Sequence, residues 1–296
     1  MMGTQTWISR DQCGFGRRTF VGGIATAILV GKFGLSSETM AQDAPALEIV
    51  SPANGDVVTS NDLDVTVKVT NFTLDCANVG RPDEEGAGHI HVMLDGMTMA
   101  VLTNFYCSDT FTVSLAGLAP GAHTIYVGLA TNTHMDLMET IQQVEVDYQP
   151  DEPVALPDAM MDGVPGVELV SPADGDTVPP VFTVEVNPVN FTPSEELEGK
   201  ANIPGYGHHH VFVDTAMDGM SMMMDSASPE ADMHDMAMMS MAGMVLMPGT
   251  NSFDLDLTAW GPGNHTIWVE PVQNDHTMYE EFGHVEFTVN VDEAAD

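Results

Sequence analysis

The segment LEIVSPANGD at Leu47–Asp56 is repeated as VELVSPADGD at Val167–Asp176. In each copy an apolar run leads into a Ser-Pro turn that ends in Gly-Asp, and strand-like alternation resumes at Asp64–Val69 and Phe182–Val186. Period-two alternation with β-branched residues, broken by Pro, Gly, Asn and Asp turns, is typical of antiparallel β-strands. The sequence therefore predicts two copies of one β-domain.

The number and spacing of these runs indicate the type of domain. Each copy holds about seven strand-like runs in about 100 residues, which suits an immunoglobulin-like sandwich. We predict an all-β protein of two tandem immunoglobulin-like antiparallel β-sandwich domains, at 42–149 and 166–296. A linker rich in prolines and acids is predicted at 150–165.

The spacing between the two copies changes along the chain. Gly88 and Gly207 are 119 residues apart, whereas His123 and His265 are 142 residues apart. The second copy therefore carries about 23 extra residues between these points. We predict that the insertion is a methionine-rich loop at about 215–247.

Residues 1–41 have the pattern of an export signal. Arg17 and Arg18 resemble a twin-arginine motif, an apolar stretch runs from Phe20 to Gly31, and small residues precede a plausible cleavage point after Ala41. The apolar stretch is too short for a membrane anchor. We expect a periplasmic or extracellular product that is not inserted in a membrane after signal removal.

The chain is strongly acidic, with 44 Asp and Glu against 7 Lys and Arg and a formal net charge of −37. Such a surface repels nucleic acid and anionic membranes, so neither is expected as a partner. Two explanations of the acidity remain open. Dense carboxylates keep a protein solvated in strong salt, as in a halophilic organism, and they also attract cations.

Cys76 and Cys107 are the only cysteines after the predicted signal. In an oxidising compartment a disulfide is the default for such a pair. A pair of thiolate metal ligands is the alternative.

A histidine pattern, Gly-His-x-His-Val, occurs once in each copy. It places His89 and His91 in the first copy and His208 and His210 in the second. Side chains alternate faces along a strand, so each pair shares a face and its members lie about 7 Å apart along the strand. The apolar neighbours must face the core, so we predict that the histidines point to a solvated face. There both rings of a pair could reach one metal ion, or they could simply be surface polar residues.

Further histidines are candidate ligands. His134 and His276 lie at the far end of a strand that follows the Pro-Gly turn, where a loop could bring each ring to the paired histidines. His123 and His265, in the two PGxHTIxV segments, are also candidates, although their phase with core positions favours a packing role near the turn. His209 falls on the core face of its strand and is interpreted as structural.

The segment Met217–Met247 contains twelve methionines. Their spacing is neither two nor 3.6, and their neighbours are polar or small, which argues against a buried role. Either the segment is a flexible, low-complexity loop, or its thioethers bind Cu(I). We favour copper and take Met233, His234 and Met236 as ligands, whereas zinc would prefer the histidines.

The combination of SPAxGD, GxGHxHVxxD and PGxHTIxV followed by NxxH resembles an uncharacterised family of exported bacterial and archaeal sandwich domains. The resemblance covers roughly 46–148 and 166–292 and implies the fold and the location, but no activity. Separately, the segment Met233–Met236 is similar to methionine and histidine tracts of copper-resistance proteins. The first copy lacks such a tract.

No nucleophile motif, phosphate-binding loop or nucleotide fingerprint occurs in the sequence. We therefore predict a non-catalytic, exported metal-binding chaperone or buffer protein, with copper as the expected metal, zinc as the other possibility, and another exported copper protein as a candidate partner. The alternative is a structural or interaction module at the surface of an acidic, salt-adapted cell. A redox enzyme of the copper–zinc superoxide dismutase type is suggested by HxH on a sandwich strand, but its other motifs are missing.

Overall fold

The computed structural model describes residues 44–160, 163–215, 241 and 243–293. These residues form strands joined by turns and short 3-10 helices. The strands of the first half are β1 Ala46–Ser51, β2 Asp56–Val58, β3 Asp62–Thr70, β4 Thr73–Leu74, β5 Ala87–Leu94, β6 Leu102–Tyr106, β7 Thr110–Ser114, β8 Gly121–Ala130 and β9 Gln142–Tyr148. The strands of the second half are β10 Gly166–Ser171, β11 Thr177–Val178, β12 Val181–Val189, β13 Thr192–Pro193, β14 Tyr206–Val213, β15 Met244–Leu246, β16 Ser252–Asp256, β17 Gly263–Gln273 and β18 Val285–Val291. The 3-10 helices are η1 Cys76–Asn78, η2 Met99–Val101, η3 Met138–Thr140 and η4 Glu195–Leu197.

Each half is a sandwich of two sheets. In the first half a three-stranded sheet, β1-β3-β7, faces a larger sheet with the order β2-β9-β8-β5-β4, in which β6 also pairs with β5. The second half repeats this as β10-β12-β16 and β11-β18-β17-β14-β13, with β15 pairing with β14. The long pairs are antiparallel, and only short edge pairs such as β2 with β9 are parallel. The predicted class of two tandem immunoglobulin-like β-sandwiches is confirmed.

Each sandwich has its own core between its two sheets. In β3 the alternate residues Leu63, Val65 and Val67 are buried in this core. Ile90 and Val92, alternate residues of β5, belong to the same cluster. The equivalent cluster of the second half is built in the same way from β12, β14 and β17. Alternation along each strand therefore sets which residues form the cores.

A third apolar cluster lies on the outer faces of the two larger sheets and draws on both halves. Its buried members are Val79, Met93, Met99, Leu102, Phe105, Phe212, Met241, Met244 and Met247. Strands β5 and β14 are consequently buried along nearly their whole length, on both faces. The two larger sheets are each covered on one side by their own partner sheet and on the other by the opposite half.

The predicted disulfide is confirmed. Cys76 in η1 is bonded to Cys107, which follows β6, and the two Cα atoms are 5.6 Å apart. The bond links the segment before β5 to the residue that follows β6, the strand that pairs with β5.

Several predicted segments fall partly or wholly outside the described residues. The predicted export signal, residues 1–41, lies wholly outside the described residues, and so do residues 216–240 and 242 of the predicted insertion. The last residues of the insertion form β15, a strand rather than part of a loop. Between the halves, β9 ends at Tyr148 and β10 begins at Gly166. Within the described part of the chain, no helical segment has the length and apolar character needed to cross a membrane.

Candidate metal centre

The HxH pairs lie on the central strands of the larger sheets. His89 and His91 on β5 face away from the core that contains Ile90 and Val92, as alternation predicts. The predicted solvation of that face is wrong, because both histidines have no exposed surface. The opposite half covers them, and Met93 on the same face belongs to the cluster shared by the two halves.

The third histidine of each half comes from a tight turn after β8 or β17. His134 has a φ of 64° and its equivalent His276 a φ of 63°, a left-handed conformation that is uncommon for residues other than glycine. Each backbone N–H closes the turn, with His134 donating to the Thr131 carbonyl and His276 to the Gln273 carbonyl. A turn in this conformation directs the imidazole back over the sheet, toward the paired histidines.

His89, His91 and His134 form the first triad. The Nε2 atoms of His89 and His91 are 2.9 Å apart, and the Nδ1 atom of His134 lies 3.1 Å from the former and 3.3 Å from the latter. An ion with metal–nitrogen distances of about 2.0–2.1 Å in tetrahedral geometry places neighbouring ligand nitrogens about 3.3 Å apart. The three nitrogens therefore have the spacing of ligands to one transition-metal ion.

His208, His210 and His276 form the second triad with the same atoms. The two Nε2 atoms are 3.2 Å apart, and His276 Nδ1 lies 3.1 Å from His208 Nε2 and 3.4 Å from His210 Nε2. All three side chains have no exposed surface. The structure thus brings together both sets of three histidines that the sequence singled out.

Each triad is held in place by the opposite half. His134 Nε2 donates a hydrogen bond of 2.9 Å to the carbonyl of Met244 in the second half. His276 Nε2 donates one of 2.8 Å to the carbonyl of Leu102 in the first half. The two bonds are equivalent under the internal repeat, so the halves exchange the same contact in both directions.

The outer hydrogen bonds fix which nitrogens keep a lone pair in the first triad. His91 Nδ1 lies 2.8 Å from an oxygen of Asp136, and since a carboxylate only accepts, the neutral ring carries its proton on Nδ1 and presents the lone pair of Nε2. His134 uses its Nε2 proton on the Met244 carbonyl, so its Nδ1 also has a lone pair. His89 can offer at most one proton to the two nitrogens that face it. Lone pairs therefore converge on a point where a cation stabilises them.

A proton is a poor candidate for that cation. Burial, reinforced by the charges of neighbouring histidines, holds the pKa of His89 and of His208 well below the usual value. Burial likewise lowers the pKa of His134 to about 3 and that of His276 to about 4. These four rings are therefore neutral near pH 7, which is the form that binds a metal.

Two acidic residues near the triads were not anticipated from the sequence. Asp136, on the turn after His134, orients His91. Met278 occupies the position of Asp136 in the second half, because the two residues form equivalent β-bridges, to Val272 and to Ala130 respectively. Because Asp136 is outside the repeated motif, the repeat gave no sign of it.

Glu270 lies directly opposite His210 in the β14–β17 register and is fully buried. Burial raises its pKa to about 7, and the indole of Trp268 donates to one of its oxygens.

His123 and His265 lie outside both triads, which corrects their assignment as metal ligands. His123 contacts Asp95 through Nδ1, at 2.6 Å, and the Ala119 carbonyl through Nε2, at 2.7 Å. His265 makes the equivalent contacts with Asp214 and Gly261. Both ring nitrogens are therefore used within the turn, the packing role that the phase of the strand favours.

The protonation of His123 follows from these contacts. Partial burial lowers the pKa of the ring, but the hydrogen bonds to the Ala119 carbonyl and to Asp95 outweigh it, so the pKa is raised overall. A ring that donates from both nitrogens is an imidazolium, which is no metal ligand.

His209 is structural, as its position on the core face predicts. It is fully buried, packs edge-on against Phe191 at 5.2 Å between ring centroids, and has no hydrogen-bond partner on either nitrogen within the described residues. Burial lowers its pKa to about 4. Ile90 occupies the same position in the first half.

Replacing His209 with isoleucine is expected to stabilise the protein by about 1–3 kcal/mol, because an unsatisfied buried polar group is removed. Urea unfolding of the two proteins would measure the difference. The reverse change in the first half, Ile90→His, should lower the free energy of unfolding by a similar amount. A His209→Ile variant that is less stable than the parent would contradict this account.

The methionine tract is only partly described. Met233, His234 and Met236 lie outside the described residues, so their proposed role as copper ligands stays a prediction. Met241 and Met244 are fully buried in the cluster shared by the halves. The expectation that this tract has no buried role is therefore wrong at its carboxyl end, where the chain rejoins β14 as a strand.

Comparison with known proteins adds little to this geometry. No family model matches the chain, and no curated protein matches it. The resemblance to an uncharacterised exported family therefore stays a prediction.

Solved structures with some similarity include fibronectin(III)-like modules of Clostridium thermocellum CbhA, at 12% identity and a TM-score of 0.25, covering 84% of this chain and 95% of that one. Another is CopC from Methylosinus trichosporium OB3b, at 12% identity and a TM-score of 0.23, covering 38% of this chain and 99% of that one. Three N-terminal domains of the bacteriophage RB49 Hoc protein match at 8% identity and a TM-score of 0.22, covering 85% of this chain and 70% of that one. At TM-scores of 0.22–0.25 these likenesses assign no function to the chain.

Proposed function

We propose that this protein is an exported metal-binding protein that buffers or delivers copper, with one ion held in each triad. The observation that carries the proposal is the convergence of three imidazole nitrogens, each within 3.4 Å of the other two, at two equivalent places. Neutral imidazoles that present lone pairs to a common point are suited to Cu, Zn, Fe or Ni.

Several features support copper in an exported protein. Among divalent ions of the first transition row, Cu(II) binds most tightly to a given nitrogen site. The twelve methionines at 217–247 offer thioethers, which favour Cu(I). The disulfide between Cys76 and Cys107 is of the kind that persists in oxidising compartments outside the cytoplasm.

Storage or delivery fits the burial of the triads better than catalysis does. All six side chains have no exposed surface. Three histidines leave a tetrahedral ion one free position, as in catalytic sites, but the burial of all six side chains keeps that position from bulk solvent, which favours retention. We therefore infer a non-catalytic role, in which another exported copper protein is the expected donor or acceptor.

Titration of the purified protein with Cu(I), Cu(II) and Zn(II) tests the proposal. We expect two ions per chain at the histidine sites, bound more tightly than micromolar, and a rise in folding stability of about 4 kcal/mol per site at free metal 1,000-fold above Kd. Combining His89→Gln with His208→Gln should abolish both effects. The His123→Gln variant, changed at a turn histidine, is the matched control and should bind like the parent.

A titration with no binding tighter than micromolar, and no change in the melting temperature with metal, would end the proposal. It would favour the alternative of a structural or interaction module, in which the acidic surface serves only solvation.

A further inference from the structure

The first triad carries a fixed acidic partner on one of its ligands. His91 Nε2 points toward the other two nitrogens of the triad, while Nδ1–H donates to Asp136 Oδ1 at 2.8 Å. His91 has no exposed surface, and the Asp136 side chain is only 15% exposed. The carboxylate therefore acts on the triad from a largely buried position, where water screens its charge poorly.

We infer that Asp136 makes the first triad selective for a divalent ion over a monovalent one, by acting through His91 as a positioning and charge-compensating residue. The inference rests on the proposed function, since it names the class of ion that this triad takes. Its consequence for copper is that Asp136 shifts the preference of the first triad toward Cu(II), or Zn(II) in its place, and away from Cu(I).

The charge balance of the buried site supports this selectivity. Three neutral imidazoles supply no negative charge, so a divalent ion brings two positive charges into a region without exposed surface. Removing charge from water is costly unless an opposite charge compensates it. Asp136 supplies one negative charge through a single imidazole, and the Coulomb energy of that charge is twice as large with a divalent ion as with Cu(I) at the same distance. The benefit grows with the charge of the ion, so the divalent ion gains more.

Ligand strength points in the same direction. A carboxylate that accepts from the outer N–H of a metal-binding histidine fixes its tautomer and raises the basicity of the coordinating nitrogen. A more basic nitrogen favours a harder, more highly charged ion over a soft one. Loss of such outer partners typically costs about 10–100-fold in metal affinity.

The structure provides a matched control for this contact. Asp95 contacts His123 Nδ1 at 2.6 Å, so it pairs with a histidine in the same way as Asp136 does, but outside both triads. A change at Asp95 removes an aspartate–histidine pair without touching a proposed ligand. Met278 occupies the position of Asp136 in the second half, which makes methionine a residue that this turn accommodates.

Affinities for Zn(II) and Cu(I) would be measured in full-length protein carrying His208→Gln, so that only the first triad is intact. Asp136→Asn keeps an acceptor for His91 but removes the charge, and Asp136→Met removes both. We expect Asp136→Asn to lower the affinity for Zn(II) by about 10-fold or more and the affinity for Cu(I) by clearly less, so that the ratio of the two affinities changes. Asp95→Asn should leave both affinities as in the parent.

The outcomes separate the two ideas. An unchanged ratio in Asp136→Asn, with both affinities equal to those of the parent or lowered equally, would overturn the inference and leave the proposed function standing. Failure of the His208→Gln parent to bind either ion would overturn the proposed function at this triad itself. Thermal unfolding of each metal-free variant shows whether a loss of affinity reflects a loss of fold.

Discussion

Lowering the pH of the metal-free protein from 7 to 5 is expected to remove about 5 kcal/mol of its folding stability. Burial lowers the pKa of five histidines, to about 3 in His134, to about 4 in His209 and His276, and well below the usual value in His89 and His208. Their pKa in the unfolded chain is about 6.5. In this window the unfolded chain therefore binds more protons, and stability falls with the pH.

Two buried acids act in the opposite direction. Burial raises the pKa of Glu270 to about 7 and that of Glu198 well above its usual value. The stability that these carboxyls contribute is present below their unfolded pKa of about 4.5 and is lost as the pH rises through the folded value. Acidification from pH 7 restores this folding stability. The gain largely offsets the stability that is lost through two of the five histidines. The net loss is still comparable with a total stability of about 5–15 kcal/mol.

Urea unfolding of metal-free protein at pH 7, 6 and 5 would measure this dependence. His209→Ile is the matched control, because it removes one of the five histidines without touching a triad, and it should reduce the loss by about 2 kcal/mol. An unfolding free energy that stays constant between pH 7 and pH 5 would show that the imidazoles are not held neutral by burial. Saturating metal should protect the protein, since metal and protons compete for the same nitrogens.

Gly199→Ala is expected to destabilise the protein by about 3–5 kcal/mol and to weaken metal binding at the second triad. Gly199 has a φ of +68°, which is strained for alanine, and an added Cβ would lie 2.5 Å from the Leu102 carbonyl oxygen. That oxygen accepts the hydrogen bond that orients His276. Moving the carbonyl therefore disturbs both the contact between the halves and the position of His276.

Two further variants make the Gly199→Ala result interpretable. Gly175→Ala, at a φ of +84° with nothing within 4 Å of the added Cβ, introduces the same backbone strain in open space and should cost only about 1–2 kcal/mol. Gly80→Ala is the equivalent change in the first half, where the Cβ would meet the Met244 carbonyl at 2.9 Å. Gly80→Ala should weaken metal binding at the first triad rather than at the second. Equal effects of Gly199→Ala and Gly175→Ala on stability and on metal binding would contradict this account.

The fold and the composition of the triads were predictable because local rules determine them. Period-two alternation assigns Ile90 and Val92 to the core, and it therefore places His89 and His91 together on the other face. The repeat also indicates the third histidine of each triad, because a histidine recurs after the same strand in both copies. The turn role of His123 followed from its phase in the same way.

The burial of the triads could not be predicted by the same rules, because alternation within one sheet does not show what covers its outer face. One signal was present in the sequence: Met93 and Phe212 are in phase with the histidines and are apolar, which is unusual for a solvated face. The partners that depend on docking, the carbonyls of Leu102 and Met244, have no sequence signature at all, since every residue has a carbonyl. Asp136 was missed because it breaks the repeat.

The two halves exchange a pair of equivalent hydrogen bonds, one from His134 to Met244 and one from His276 to Leu102. A symmetric homodimer has the same arrangement, in which each contact occurs twice across the two-fold axis. Here both copies belong to one polypeptide, tied together by the segment between Tyr148 and Gly166. A short tether makes the pairing intramolecular, at an effective concentration on the order of millimolar. Dilution, which would dissociate a weak dimer, therefore leaves both triads assembled.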